Sequence, residues 1–409
     1  MVDGDKNAPL AAEPVKGTGR LLVALIVGQV GLHAAMAGLR LAGPLQALRE
    51  GYSAWSVGLL LALFAAAPVL LALHAGRLAD RLGYHRPVHI AVGLVMGGML
   101  AAVASTYFSG APHFLLLCAA ATLAGSGANM GMLSIQRTAG LIARDATERV
   151  RIFSWFGIAP SFANVVGTVA GGLLIDVAGF TAAYTVLALL PLATLYSARH
   201  VPRTAFGPAL VLGQGAVPAG RPRSWDLLAA PGMKRLLVVN WLLSMCWDVH
   251  SFALPVLGFE RGFSATTIGL ISGTFTLSVS GVRLLIPLLA HRLKETRVLQ
   301  VAMLGTAVVF ALYPLAPSPL WMGLCAVLLG LTLGSVQPMV MSTLHHITPD
   351  NRHGEALAFR SMALNASSTV MPLLFGALGT AVGAAVLFWA VGAAVGSGAG
   401  LARRLSCAR

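Results

Sequence analysis

The chain has 409 residues, of which 57% are hydrophobic and 10% charged, and its formal net charge is +14. Soluble globular proteins are about one quarter charged, so this composition and a mean hydropathy of +0.79 exclude a soluble domain and indicate an integral membrane protein. Alternating strand patterns are absent, which favours helices. The basic residues are dispersed among short loops, which argues against nucleic acid as a partner.

The first segment, residues 1–20, is polar and lacks the apolar run of a cleavable signal, so it predicts a cytoplasmic tail. The cysteines are far apart and form no Cys-x-x-Cys pair, so the sequence predicts no metal site, no disulfide framework and no cofactor. The four cysteines are Cys118, Cys246, Cys325 and Cys407.

Twelve apolar segments are long enough to cross a hydrocarbon core of about 30 Å as helices. They predict an all-α membrane protein with an N-terminal six-helix bundle (21–199), a cytoplasmic linker (200–233), a C-terminal six-helix bundle (234–402) and a cytoplasmic tail (403–409). The predicted spans are 21–48, 55–75, 88–108, 113–142, 152–178, 180–199, 234–258, 265–290, 298–316, 319–347, 357–381 and 383–402.

The loop charges predict the orientation of the chain, because cytoplasmic loops carry an excess of Lys and Arg. With both termini in the cytoplasm, twenty-two Lys and Arg residues fall on the cytoplasmic side and only Arg49 and Arg261 fall on the other. This asymmetry, the short loops and the family resemblance described below together favour a bacterial inner membrane as the location.

The two halves repeat each other at an offset of 211 residues. The segment LADRLGYHR (78–86) aligns with LAHRLKETR (289–297), and both follow the second span of their half. Two six-helix halves of the same orientation are typical of transporters built from parallel repeats.

The segment after the second span resembles the signature of the major facilitator superfamily of secondary transporters, Gly-x-Leu-Ala-Asp-Arg-x-Gly-Arg/Lys-Arg/Lys. The matching residues are Gly76, Leu78, Ala79, Asp80, Arg81, Gly83 and, slightly displaced, His85 and Arg86. The resemblance implies twelve helices in two pseudo-symmetric bundles and transport by alternating access. It also implies a cytoplasmic gate of Gly76, Asp80, Arg81, Gly83 and Arg86, whose acid interacts with a neighbouring helix dipole. An ordinary positive-inside loop is the alternative.

Two departures from drug–proton antiporters of that family weaken the indication of export. Ala121 stands where many of them carry an arginine, and in GTVAGG (167–172) Thr168 replaces the signature's proline. Small residues four apart also allow close helix packing without any functional role.

Polar residues form one stripe along the first span, at i, i+4, i+7 and i+11, and the repeat offset places a second stripe on the seventh. The two stripes are expected to face each other across a central cavity. They comprise Gln29, His33, Met36 and Arg40, and then Asn240, Ser244, Trp247 and Ser251, with Asp248 beside them. Other residues predicted to line the cavity are Thr276, Arg283, Gln337 and Asn365.

Asp248 is the only acid that the sequence places deep within a span, where ionisable residues are costly and often serve proton pathways. We expect proton coupling through Asp248, His33 or His250. The alternative is a fixed ion pair of Asp248 with Arg40 or Arg283.

The arginines of the predicted cavity outnumber its single acid, and the planar guanidinium suits carboxylates or phosphates. The predicted function is therefore proton-coupled export of an organic anion, zwitterion or amphiphilic small molecule, with proton-coupled uptake of a metabolite as the alternative. The predicted partners are a small-molecule substrate, protons and the lipid bilayer, and the chain is expected to be a monomer. Motifs of hydrolases and nucleotide-binding loops are absent, so an enzyme is not expected, and a non-transporting sensor is a weaker alternative.

Overall fold

The computed structural model describes residues 18–142, 146–202, 227–228, 230–289, 294–348 and 353–405, and these residues contain helices but no strand. The helices are α1 Thr18–Arg49, α2 Ala54–Leu82, α3 His85–Ser105, α4 Gly110–Ile142, α5 Ala146–Leu187, α6 Leu190–Ala198, α7 Met233–Glu260, α8 Ala265–Leu289, α9 Glu295–Leu312, α10 Pro319–Gly334, α11 Val336–Ile347, α12 His353–Val382 and α13 Ala384–Arg403.

Eleven helical segments in the described part of the chain are long and apolar enough to cross a membrane, against the twelve predicted. One of them, Ala159–Ala198, has 40 residues, about twice what a single crossing needs. Gly179 interrupts this segment with φ 81° and ψ 176°, a conformation that favours glycine. The break falls between the predicted fifth and sixth spans.

The chain reverses direction at Gly179, as its contacts with α1 reveal. Before the break, Gly167 packs against Ala34, and Asp176 reaches Arg49 at the far end of α1. After the break, the Tyr184 hydroxyl donates to Gln46, and the chain then runs back along α1 toward its start. This reversal supports the twelfth span, which stays a prediction.

The predicted span 319–347 is divided into α10 and α11 by a turn at Ser335. Pro338, in the first turn of α11, lacks the N–H that a continuous helix would use there. Gln337, a predicted lining residue, directly precedes this proline.

The segment with the family signature follows the predicted second span, and most of it is helical. Gly76, Asp80 and Arg81 belong to the last two turns of α2, and only Gly83, with φ 70°, makes the turn into α3. The apolar run ends before the helix does, because a polar sequence can extend a helix beyond the hydrocarbon core.

The N-terminal half (α1–α6) packs on the C-terminal half (α7–α13) through α2 with α12 and α5 with α8. These helices approach closely at glycines: a Cβ on Gly58 would collide with α12 near Gly376, and one on Gly172 would collide with the backbone of Ala265. Both contacts lie at the end of the bundle where Arg49 also lies. The charge pattern predicts this end to be periplasmic.

Candidate functional site

A polar cavity lies between the two halves and consists of two adjoining chambers. The Arg40 chamber, of about 120 Å³, lies toward the predicted periplasmic end, and the Asp248 chamber, of about 290 Å³, lies toward the opposite end. The first is lined by Met36, Ala37, Arg40, Leu41, Asn164, Thr168, Trp247, His250, Ser251, Leu254, Pro255, Ser272, Phe275 and Thr276. The second is lined by Pro160, Ser161, Asn164, Asn240, Leu243, Ser244, Trp247, Asp248, Thr276, Arg283, Leu333, Val336, Gln337, Leu364 and Ser368.

Part of the two polar stripes predicted from the repeat lines this cavity. The α7 stripe lines it over its whole length, from Asn240 to Ser251. Of the four residues of the predicted α1 stripe, only Met36 and Arg40 are lining residues. Gln29 is fully buried, away from both chambers, and neither atom of its amide has a hydrogen-bond partner among the described residues. His33, one turn along, is partly exposed and also lines neither chamber.

The Asp248 carboxylate is held by two serine hydroxyls of α12. Ser367 Oγ donates to Oδ2 at 2.9 Å and Ser368 Oγ donates to Oδ1 at 3.4 Å. In the described part of the chain, Asp248 forms no ion pair with Arg40 or Arg283. The predicted fixed ion pair is therefore not the arrangement found: the hydrogen-bond partners of the carboxylate are the two hydroxyls, and the Arg40 guanidinium attracts it from a longer distance.

The cavity arginines keep hydrogen-bond donors free. The buried Nε atoms of Arg40 and Arg283 have no acceptor among the described residues, and the same is true of Asn240 Nδ2. Such orphaned buried donors are rare in folded proteins, because each costs free energy until it finds a partner. Their chemistry favours a ligand that brings acceptor oxygens.

His250 is packed in an aromatic group at the wall of the Arg40 chamber. Its Nε2 lies 3.0 Å from the Tyr313 hydroxyl, and its ring lies 4.4 Å from that of Phe275. The Phe275 ring also meets Trp247 edge to face at 4.7 Å. This hydrogen bond and packing give His250 a structural role in addition to its predicted one in proton coupling.

Three residues of α12 were misjudged from sequence. Asn365 is exposed and lines neither chamber, because Leu364 and Ser368 occupy the face that turns to the cavity. Ser367, which binds Asp248, was missed. Arg360 was missed as well: it is buried, and its guanidinium donates to Gln337 Oε1 at 2.9 Å, next to the Asp248 chamber. An arginine inside the predicted span 357–381 was a signal for it.

The predicted cytoplasmic gate is only partly visible. The side chains of Gly76, Asp80 and Arg81 lie outside the described ones, whereas Gly83 is buried and Arg86 is exposed. The role of these residues in a gate stays a prediction.

The predicted periplasmic end carries a polar contact between the halves that the sequence did not indicate. Asp176 of α5 accepts hydrogen bonds from the backbone N–H groups of Ala265, at 3.0 Å, and Thr266, at 2.6 Å. These are the first two residues of α8, so Asp176 caps a helix of the other half. The Arg49 guanidinium lies 3.7 Å from the same carboxylate and over the Phe180 ring. We refer to Asp176, Ala265 and Thr266 as the clasp.

Two packed halves of helices that are long and apolar enough to cross a membrane, with a polar cavity between them, are the architecture that a membrane transporter needs. The family model "Major Facilitator Superfamily" matches residues 25–233 and 236–405. The chain therefore belongs to the Major Facilitator Superfamily, and the family is one of transporters and not of enzymes.

Among curated proteins, the chain is similar to the enterobactin exporter EntS of Salmonella paratyphi A and of Salmonella typhimurium. Each is 25% identical over 326 residues, which cover 77% of this chain and 75% of the exporter.

Solved structures share the fold. The nucleoside transporter NupG has a TM-score of 0.73 at 13% identity and covers 95% of this chain and 100% of its own. A bacterial homologue of the iron transporter ferroportin in its inward-facing state has a TM-score of 0.72 at 14% identity, covering 95% and 99%. At these identities the likeness extends to the fold alone.

Proposed function

We propose that this transporter exports an organic anion, zwitterion or amphiphilic small molecule by alternating access, coupled to protons, across a bacterial inner membrane, and that it acts as a monomer. The observation that carries the proposal is the pair of arginines with free donors, Arg40 and Arg283, beside the single carboxylate of Asp248.

The charge of the cavity supports an anionic cargo. A lipophilic cation would meet two guanidinium groups and only one carboxylate. A carboxylate or phosphate would give both Arg40 and Arg283 the charge-assisted hydrogen bonds that they lack. Trp247 and Met36 add apolar surface to the lining, which suits a cargo with an apolar part.

Asp248 is our first candidate for the proton carrier. It lies at the cavity wall, and its partners, Ser367 and Ser368, are neutral hydroxyls, which can accept from a protonated carboxyl as well as donate to a charged one. A fixed guanidinium partner would instead hold the carboxylate charged. His33 and His250 are the second candidates.

Export is supported by the similarity to the enterobactin exporters of Salmonella. Proton-coupled uptake of a metabolite is the alternative direction, which the altered antiporter signature at Thr168 favours. The predicted cytoplasmic gate around Asp80 serves either direction, because alternating access needs a gate on each side.

The test is proton exchange by the purified full-length protein in detergent as carboxylates, zwitterions and cationic drugs are added in turn. We expect an anion or zwitterion to change proton binding in the wild type and in the control Glu260→Gln, but not in Asp248→Asn. If only cationic drugs act, the anionic cargo is wrong. If Asp248→Asn still exchanges protons, the coupling group is a histidine or is absent, and His33→Gln and His250→Gln decide between these.

A further inference from the structure

The two cavity-lining arginines with free donors belong to different halves and to different chambers. Arg40 is on α1 and lines the chamber nearer the predicted periplasmic end, whereas Arg283 is on α8 and lines the other chamber. The buried Nε of each has no acceptor among the described residues. A ligand with a single acceptor group at one arginine therefore leaves the Nε of the other arginine without an acceptor.

No acceptor among the described residues reaches the buried Nε atom of either arginine. Hydroxyls along the cavity donate to carbonyls of their own helices: Ser244 to Asn240, Thr168 to Asn164, and Thr276 one turn back. The only carboxylate among the described lining residues, that of Asp248, is bound by serines. The free donors therefore depend on a ligand or on water for their acceptors.

The chambers adjoin, because Asn164, Trp247 and Thr276 line both of them. A single elongated molecule can thus occupy both, with its middle beside the Trp247 indole. The larger chamber alone, at about 290 Å³, is near the lower limit of roughly 300 Å³ for a small-molecule site. The geometry suits a ligand with a polar group at each end and an apolar middle.

We infer that the cargo carries two separated anionic groups, one that binds Arg40 and one that binds Arg283, and that it bridges the two halves. This inference rests on the proposed function and names the substrate class more narrowly. Arg40 and Arg283 belong to opposite halves. A doubly charged cargo therefore binds an arginine of each half at once, whereas a singly charged cargo binds the arginine of only one half.

The experiment uses straight-chain α,ω-dicarboxylates of four to ten carbons and their monomethyl esters, which keep the length and lose one charge. Binding to the purified full-length protein is followed by tryptophan fluorescence or calorimetry. We expect the best dicarboxylate to bind at least tenfold more tightly than its monoester. Arg40→Gln and Arg283→Gln should each lower dicarboxylate affinity at least tenfold and change monoester affinity less.

The matched control is Arg403→Gln, which removes an exposed arginine at the end of α13 and should leave both affinities unchanged. Arg40→Lys and Arg283→Lys, which keep the charge, should retain part of the affinity and report that the folded cavity persists. Equal affinities for dicarboxylate and monoester overturn the inference while leaving an anion transporter in place. Failure of every anion to bind, with binding of cationic drugs, overturns the proposed function as well.

Discussion

The clasp at the predicted periplasmic end should set how readily the two halves separate there. Asp176 accepts the N–H groups of Ala265 and Thr266, which start α8 and lack partners within their own helix. The contact exists only while α5 and α8 are together at this end. Asp176→Ala therefore destabilises the closed arrangement and leaves the open one unaffected.

The size of the effect follows from helix capping. Replacing a capping side chain by alanine costs about 0.5–2 kcal/mol, and about 1.4 kcal/mol is a tenfold change in an equilibrium constant. Asp176→Ala should thus lower the ratio of closed to open molecules roughly 2-fold to 30-fold. Asp176→Asn keeps one oxygen that can accept a hydrogen bond and should lie between alanine and the wild type.

The assay is the distance between spin labels at Tyr107 and Leu320, which are both well exposed and belong to opposite halves. The labels are introduced after the four native cysteines have been replaced by serine. We expect Asp176→Ala to move population toward longer distances, while Glu260→Gln, which removes an exposed acid at the end of α7, has no effect. Identical distributions for Asp176→Ala and the wild type would refute the clasp as a closing contact.

Two further predictions concern helix packing. Gly58→Val puts a side chain where Gly376 of α12 lies, so the same spin labels should report longer distances because the predicted periplasmic end cannot close. Gly93→Val, at a site with no neighbour within 4 Å, should leave these distances unchanged. Gln46→Leu leaves the buried Tyr184 hydroxyl without its 2.7 Å acceptor, at a cost of about 1–3 kcal/mol. A melting temperature equal to that of the wild type would contradict this role of Gln46.

Much of the fold could be predicted from sequence because a bilayer restricts the length and the composition of the helices that cross it. A span needs about 20 apolar residues, so the helices were recognisable from hydropathy. The repeat predicted which helices oppose each other, and α7 contributes lining residues from Asn240 to Ser251. Even the break at Gly179 coincides with a predicted boundary. The orientation of the chain still rests on its loop charges.

What sequence could not supply was the rotation of each helix and the contacts between distant residues. Asn365 was placed in the cavity, but the face of α12 that turns inward includes Leu364 and Ser368 instead. The cap by Asp176 joins residues 89 and 90 positions apart, and neither end has a motif. The partners of Asp248 on α12 were hidden for the same reason.

Transport of an anion through the arginine-lined cavity is tested most directly in inside-out membrane vesicles that acidify their interior by respiration. Labelled dicarboxylate is added outside, and its accumulation is followed with and without an uncoupler. We expect uncoupler-sensitive accumulation by the wild type and by Arg403→Gln, and its loss in Arg40→Gln, Arg283→Gln and Asp248→Asn. Accumulation of cationic compounds alone, or of the dicarboxylate at equal rates in all five proteins, would contradict an anion carrier built on these residues.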